Sequence, residues 1–340
     1  MKSMRKSLLA CLVVGCALVL ITITAFAAEW KVPAKWKFLK FAGGAAAGSW
    51  TPLSAKICEL INQQIPGVNA SSTLGASYGN LAAVNKGKMQ IALTMTNALA
   101  ECYYGLRDQK GKETKNIRFL GSMHHGAIHI FVPKKSPIKD ISEIAKRPLR
   151  TVVGPRKSFT YMFNDLLLKT YGSSIKDLEA RGGTASNVYY GPGVKMLKDG
   201  QIDYMAFHTG LNASMVMDAA TSPGIRFLEL SPEKKTQIMK KLLGTTEVVI
   251  PKDMYPGIEK DYHTFGYYFP IVVSKDMPEE LAYRITKVIW DNLEEVQSVG
   301  AFGKGIKLET AFMGMTVPMH PGAARYYKEK GLTIPPLPKL

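Results

Sequence analysis

The chain has 340 residues, with 44 Lys and Arg against 27 Asp and Glu, a formal net charge of +17 and a hydrophobic content of 46%. That apolar share is ample for a packed core, and the length suits two lobes. The basic residues are scattered, as at Lys134/Lys135, Lys234/Lys235, Lys240/Lys241 and Lys328/Lys330. They sit beside apolar residues at helical spacing and read as solvated helix faces, so no nucleic-acid partner is expected; the charge can instead bias a cleft toward anions.

The first element is a leader. Lys2, Arg5 and Lys6 precede an apolar stretch from Leu8 to Phe26, and Ala25-Phe26-Ala27 puts small residues at the two positions a signal peptidase reads. Residues 1–27 are expected to be a cleavable secretory signal, leaving about 313 residues for the periplasm. The competing readings are a retained anchor, because the run is long enough to span a bilayer, and a lipoprotein, because Val13-Val14-Gly15-Cys16 is similar to a lipobox.

Beyond the leader, strands and helices alternate. Phe38 to Pro52 reads as a short strand, a loop of tiny residues with Gly43, Gly44 and Gly48, and a helix start at Ser49-Trp50-Thr51-Pro52. The helix runs to Gln64 and stops at Pro66-Gly67. The same grammar returns at Val68–Thr73, followed by Leu74-Gly75-Ala76-Ser77 and a helix through Val84. It returns again at Thr151–Val153, followed by Gly154 to Thr160 and a helix to Thr170. Between them lie a strand at Met89–Thr94, a helix from Asn97 to Tyr104, strands at Arg118–Ser122 and Ala127–Val132, and a short helix at Ile138–Ile144. Further on come a helix closing at Gly200, a strand from Ile202 to Phe207 ending at His208-Thr209-Gly210, a strand at Ile225–Leu230 and a helix at Pro232–Leu243. A strand at Phe265–Ser274, one long helix over Pro278–Val299 and an extended Pro-rich tail complete the chain. This alternation predicts an α/β fold with mixed or parallel sheets. Helix starts of this kind turn unpaired N–H groups and a partial positive charge toward the strand ends, where an anion can be held.

Motifs of covalent and nucleotide chemistry are absent from the sequence: no phosphate-binding loop, no dinucleotide fingerprint, no zinc-protease helix, no nucleophile elbow. No cofactor is expected. His124, His125 and His129 are either metal ligands or residues lining a hinge strand or cleft. Ser158 with His208 forms a nominal nucleophile and base without an evident orienting carboxylate. Cys58 and Cys102 fit either one disulfide or two buried thiols.

Taken in order, these segments resemble the TAXI family of solute receptors, the extracytoplasmic binding components of TRAP transporters. Ala42-Gly43-Gly44 through Gly48-Ser49-Trp50-Thr51-Pro52 is similar to the family's Gly-Gly-Thr-x-Ser-Gly-x-Tyr-Tyr-Pro opening. Thr73-Leu74-Gly75-Ala76-Ser77 with Asn80-Leu81 resembles Gly-Gly-Ser-x-x-Asn-Leu, and Met95-Thr96-Asn97 stands where the family often has Gln-Ser-Asp. Val153-Gly154-Pro155 through Ser158-Phe159-Thr160 is similar to Val-Gly-Pro-x-Gly-Ser-Gly-Thr, and Leu197 through Asp203 matches Leu-x-Asp-Gly-x-Ile-Asp-Ala. The departures are Trp50-Thr51 for the tyrosine pair, Asn97 for an acid, and Arg156-Lys157 with Phe159 for small residues.

The resemblance implies a two-lobed, type II-like periplasmic-binding-protein fold that is not an enzyme and works with TRAP membrane subunits. The boundaries expected are residues 28–126 for the first lobe, 127–254 for the second, and 255–340 for the return to the first and the tail. The residues expected to meet a ligand are Gly44, Ser49, Trp50, Thr51, Ser77, Thr96, Asn97, Arg156, Ser158, Phe159, Thr160, His208 and Thr209. Tyr189 and Tyr190 are expected to wall the cleft. Arg156 can grip a carboxylate with two parallel bonds. The two cations at 156–157 favour a small organic anion, a dicarboxylate or glutamate-like acid, as the ligand. The competing function classes are a secreted hydrolase or lyase and a ligand sensor.

Overall fold

The computed structural model describes residues 30–46, 48–156 and 158–338. The expected signal segment therefore lies outside the described residues, as does Lys157.

The first strands, β1 (Phe38–Ala42), β2 (Asn69–Thr73) and β3 (Ile91–Leu93), run parallel, with β1 between the other two. Helices Trp50–Gln64 and Ser77–Asn85 supply the crossovers, as parallel pairing requires. The next strand, β4 (Ile117–Pro133), is 17 residues long and nearly all buried. The sequence reads as two strands there because Gly121 and Gly126 interrupt the apolar pattern; in the fold the chain passes through both without breaking. Then come β5 (Arg150–Val152), β6 (Thr184–Ser186), β7 (Tyr204–Gly210), β8 (Ile225–Phe227), β9 (Thr246–Ile250), β10 (Tyr262–Gly266) and β11 (Tyr268–Ser274).

The main sheet has nine strands in the order β2-β1-β3-β11-β4-β7-β5-β6, with β8 also on β4. Strand β4 joins its two halves. Residues 117–125 pair antiparallel with β11, and residues 126–133 pair with β7 and β8. Where this changeover occurs, Gly126 and Gly266 pass so closely that a Cβ on Gly266 would run into the Gly126 carbonyl. Strands β9 and β10 form a separate antiparallel pair. One core cluster centres on β1, β3, β11 and helix Glu279–Asp291; a second gathers Phe131, Phe207, Met205, Tyr255 and Tyr262.

One helix differs from its expected extent, and one open alternative is decided. The helix expected over Pro278–Val299 stops at Asp291 and restarts at Leu293. Asn292 leaves helical geometry (ψ 38°) and spends its side chain on the Val288 carbonyl (2.7 Å) and on Gln64 of a neighbouring helix (3.1 Å). Cys58 and Cys102 are both buried free thiols, and burial raises the pKa of each to about 12.

Candidate ligand-binding cavity

The C-terminal ends of β1, β2, β3, β5 and β7 all face one cavity of about 210 Å³. Among the described residues its lining comes from Gly44, Ala45, Gly48 to Trp50, Gly75 to Gly79, Met95, Gly154, Pro155, Ser158 to Thr160, Tyr189-Tyr190, His208 to Gly210, and Phe269 of β11. This is where open α/β sheets place ligands. Asparagines fix the loops, Asn80 and Asn164 from buried positions and Asn187 from an exposed one. Asn80 donates to the Gly43 and Leu93 carbonyls (2.8 Å each) and accepts from the Ala76 amide (2.9 Å), so one side chain ties three loop roots together. In the other half Asn164 donates to Ala206 (2.8 Å) and Thr160 (2.9 Å), and Asn187 donates to Gly154 (3.1 Å). Gly154 itself has φ of 78°, a left-handed conformation that needs glycine.

Among the expected ligand residues, the fold brings Gly44, Ser49, Trp50, Ser77, Ser158, Phe159, Thr160, His208 and Thr209 to this one cavity. Thr51, Thr96, Asn97 and Arg156 are not in its lining. Thr51 Oγ1 turns back to donate to the Ala45 carbonyl (2.9 Å), stapling the loop. Thr96 is buried and donates to Tyr268 O (3.1 Å). Asn97 is buried beneath the surface, with Nδ2 3.5 Å from Tyr78 Oη. Arg156 is exposed. Ser158 lines the cavity and also caps its own helix, accepting from the Tyr161 amide at 3.2 Å. Tyr189 and Tyr190 do wall the cleft, with Tyr189 53% exposed at its mouth.

The sequence reading missed Tyr78 and Phe269. Tyr78 lines the cavity and is oriented from behind: its Oη donates to Glu101 Oε2 at 2.8 Å, and Glu101 lies 3.0 Å from Arg107. Glu101 is 3% exposed, and burial raises its pKa. A tyrosine in the first turn of a helix reads as packing; only the long-range contact reveals otherwise. Phe269 joins an aromatic wall with Trp50 (5.1 Å between centroids) and His208 (5.2 Å).

Electrostatically the cavity is unusual for a basic protein. Among the described lining residues there is no Asp, Glu, Lys or Arg. His208 is buried, which drives its pKa well below 6.5, and its Nε2 accepts from the Tyr267 amide at 3.1 Å. It is therefore a neutral wall whose lone pair is already used, unsuited to act as a base for Ser158. What the cavity does hold is helix N-termini. The helices beginning at Trp50, Ser77, Thr96, Phe159 and Tyr190 each start with a lining residue at the first helical position or just before it. Four of the five lack a side-chain cap. Their first-turn amides have no intrahelical acceptor and carry partial positive charge. Among the described residues no group of three or more His, Cys, Asp and Glu is placed to hold a metal.

This architecture is the two-lobed fold of the periplasmic binding proteins. Two solved structures are similar over most of their length. One, described as a periplasmic transporter, has a TM-score of 0.53 at 14% identity, covering 88% of this chain and 93% of its own. The other is MatC from Rhodopseudomonas palustris with bound malate, with a TM-score of 0.53 at 13% identity, covering 86% and 96%. A model of the NMT1-like family matches residues 41–331, and the chain belongs to that family. No described helix is long and apolar enough to cross a membrane.

Proposed function

We propose that the protein is an extracytoplasmic solute receptor of the TAXI type, exported by residues 1–27. It captures a small organic anion, a dicarboxylate or glutamate-like acid, and delivers it to TRAP membrane subunits. The observation that carries this reading is the convergence of helix N-termini from both halves of the sheet on one cavity. A carboxylate there would accept hydrogen bonds from amides and from the hydroxyls of Ser49, Ser77, Thr160 and Thr209 without a side-chain cation. MatC, which shares the fold, holds malate, so malate heads the screen. The proposed lobes are residues 28–126 together with the return over 255–340, and residues 127–254. A ligand touching both lobes stabilises the closed arrangement by its differential affinity for it.

The test is a thermal-shift screen of dicarboxylates and glutamate-like acids against neutral sugars and cationic amines. A ligand at a hundred times its Kd adds about 2.7 kcal/mol, which for a chain of this size is a rise of about 5 °C. Stabilisation by neutral or cationic solutes with none from the acids would refute the anion reading. Turnover of a stabilising acid would favour a hydrolase or lyase. Location of the gene beside a signalling partner, with no multi-span permease, would favour a sensor.

A further inference from the structure

We propose that His124 is a positioning residue: it donates Nε2–H to Ser49 and so turns the Ser49 hydroxyl into a donor aimed at the cavity, making the site demand a hydrogen-bond acceptor there. The inference deepens the anion reading above and rests on it for the identity of the acceptor.

Ser49 occupies the N-cap position of helix Trp50–Gln64, where serine normally accepts from a first-turn amide, yet it makes no capping bond. Its Oγ lies instead 2.8 Å from His124 Nε2. The ring of His124 is 1% exposed and is held between Phe269 (4.8 Å) on the cavity side and Phe302 (4.7 Å) on the other. Its Nδ1 has no hydrogen-bond partner.

That orphaned atom decides the tautomer. With the proton on Nδ1, a buried N–H donor would face no acceptor, among the rarest arrangements in folded proteins. With the proton on Nε2, the unpartnered atom is a ring lone pair, and Nε2–H donates to Ser49 Oγ. The Ser49 hydroxyl hydrogen cannot then return to the ring. Ser49 lines the 210 Å³ cavity and also an adjoining one of about 280 Å³, so its hydrogen faces open space between the lobes. Gly210 makes room for the pair: a Cβ there would stand 3.3 Å from both Ser49 Oγ and His124 Nε2. His208, in the same cavity, shows the opposite arrangement, because its Nε2 accepts from the Tyr267 amide and its proton must sit on Nδ1.

The first test needs no ligand. Long-range ¹H–¹⁵N NMR of histidine-labelled protein at pH 7 should show His124 protonated on Nε2 and His208 on Nδ1. A proton on His124 Nδ1 overturns the proposal, whatever the ligand is. The second uses the tighter-binding of malate and succinate. His124→Leu and Ser49→Ala should each lose about tenfold or more in affinity, the expected cost of one hydrogen bond to a charged oxygen. The double variant should lose no more than either alone, because the two act as one unit, and His124→Gln, which keeps an N–H donor, should recover most of the loss. Full affinity in a folded His124→Leu protein, or additive losses, would overturn the proposal. If neither acid binds, the anion reading fails on its own while the tautomer still decides the role of His124.

Discussion

Acid should destabilise this protein well above the range in which carboxylates titrate. Burial holds the pKa of His124 at about 3 and of His125 and His129 at about 4, drives that of His208 well below 6.5, and lowers that of His320. His129 shows the cause. It is fully buried, with Phe207 and Phe227 within about 6 Å, while Nδ1 donates to Ala127 O (3.0 Å) and Nε2 meets Tyr255 Oη (2.9 Å). In the unfolded chain each ring takes up a proton near pH 6.5; in the folded protein it stays neutral. The unfolded state therefore binds more protons below 6.5, and stability falls with pH by about 1.4 kcal/mol per unit for each such histidine. From pH 6.5 to 5 that is about 2 kcal/mol per ring and about 6 kcal/mol for three, a large part of a typical total of 5–15 kcal/mol. Glu101 works the other way. Its raised pKa makes it cost stability as pH rises above about 4.5, so acidification relieves that cost and offsets up to one histidine. Carboxylates held low, such as Glu143 and Asp291 at about 2, act only below this window. With His125 and His320 counted beside His124, His129 and His208, and Glu101 set against them, urea unfolding at pH 7, 6 and 5 should report uptake of about three to four protons on unfolding at pH 5, and His129→Gln should remove one of them. Uptake of less than one proton in the wild type would refute the assignment of these rings as neutral and buried.

Further outcomes follow from the same geometry. Asn80→Ala leaves the Gly43 and Leu93 carbonyls without their donor; it should cost about 2–3 kcal/mol in denaturant unfolding and weaken ligand binding. Gly154→Ala forces an alanine to φ 78° with its Cβ 2.9 Å from Thr160 Cβ; calorimetry should show a loss of about 1–3 kcal/mol. Arg156→Gln should change the affinity for the best acid less than twofold by isothermal titration, because Arg156 is exposed and outside the lining; a tenfold loss would place it on the ligand. Tyr78→Phe removes the bond to Glu101 and leaves a buried carboxyl short of a partner; it should lower the melting temperature by several degrees, as expected for about 1–3 kcal/mol.

Much of this site was legible because its chemistry is local. A strand, a run of glycine and hydroxyl residues and a helix start occupy about a dozen consecutive positions, and that pattern located Gly44, Ser49, Ser77, Ser158 and Thr160. Two of the residues outside the lining share one cause. Thr96 and Asn97 follow a strand end, as expected of ligand residues, but their side chains are buried away from the cavity lining, and Thr96 is claimed by Tyr268, 172 residues away. The Ser49–His124 pair spans 75 residues and the Tyr78–Glu101 pair 23, so neither leaves a mark on local periodicity. His124 and His125 were legible as a cluster on a strand, while what each meets was not: they turn to Ser49 and Thr246 respectively. Strand β4 was hidden by its own glycines. Gly126 breaks the apolar run at the point where two chain crossings need room.

The lack of a cation in the described lining bears on release as much as on capture. On the proposed function, the protein must let go of its ligand when a membrane partner opens it. A bidentate arginine on one lobe would keep its grip on a carboxylate after the lobes part, because both bonds come from one rigid fork. Here the positive potential is divided: the Trp50, Ser77 and Thr96 helices belong to one half of the sheet, and the Phe159 and Tyr190 helices to the other. Each N-terminus contributes about half an elementary charge, acting only over its first turn. Moving one half away removes its share of that potential at once and admits water to the rest. An anion bound as proposed would then be held by fewer amides in a medium of higher dielectric, where each interaction is weaker. The scattered surface lysines can still draw anions toward the cleft from a distance. On this proposal attraction falls to side chains on the outside and retention to backbone on the inside, and only the second depends on closure.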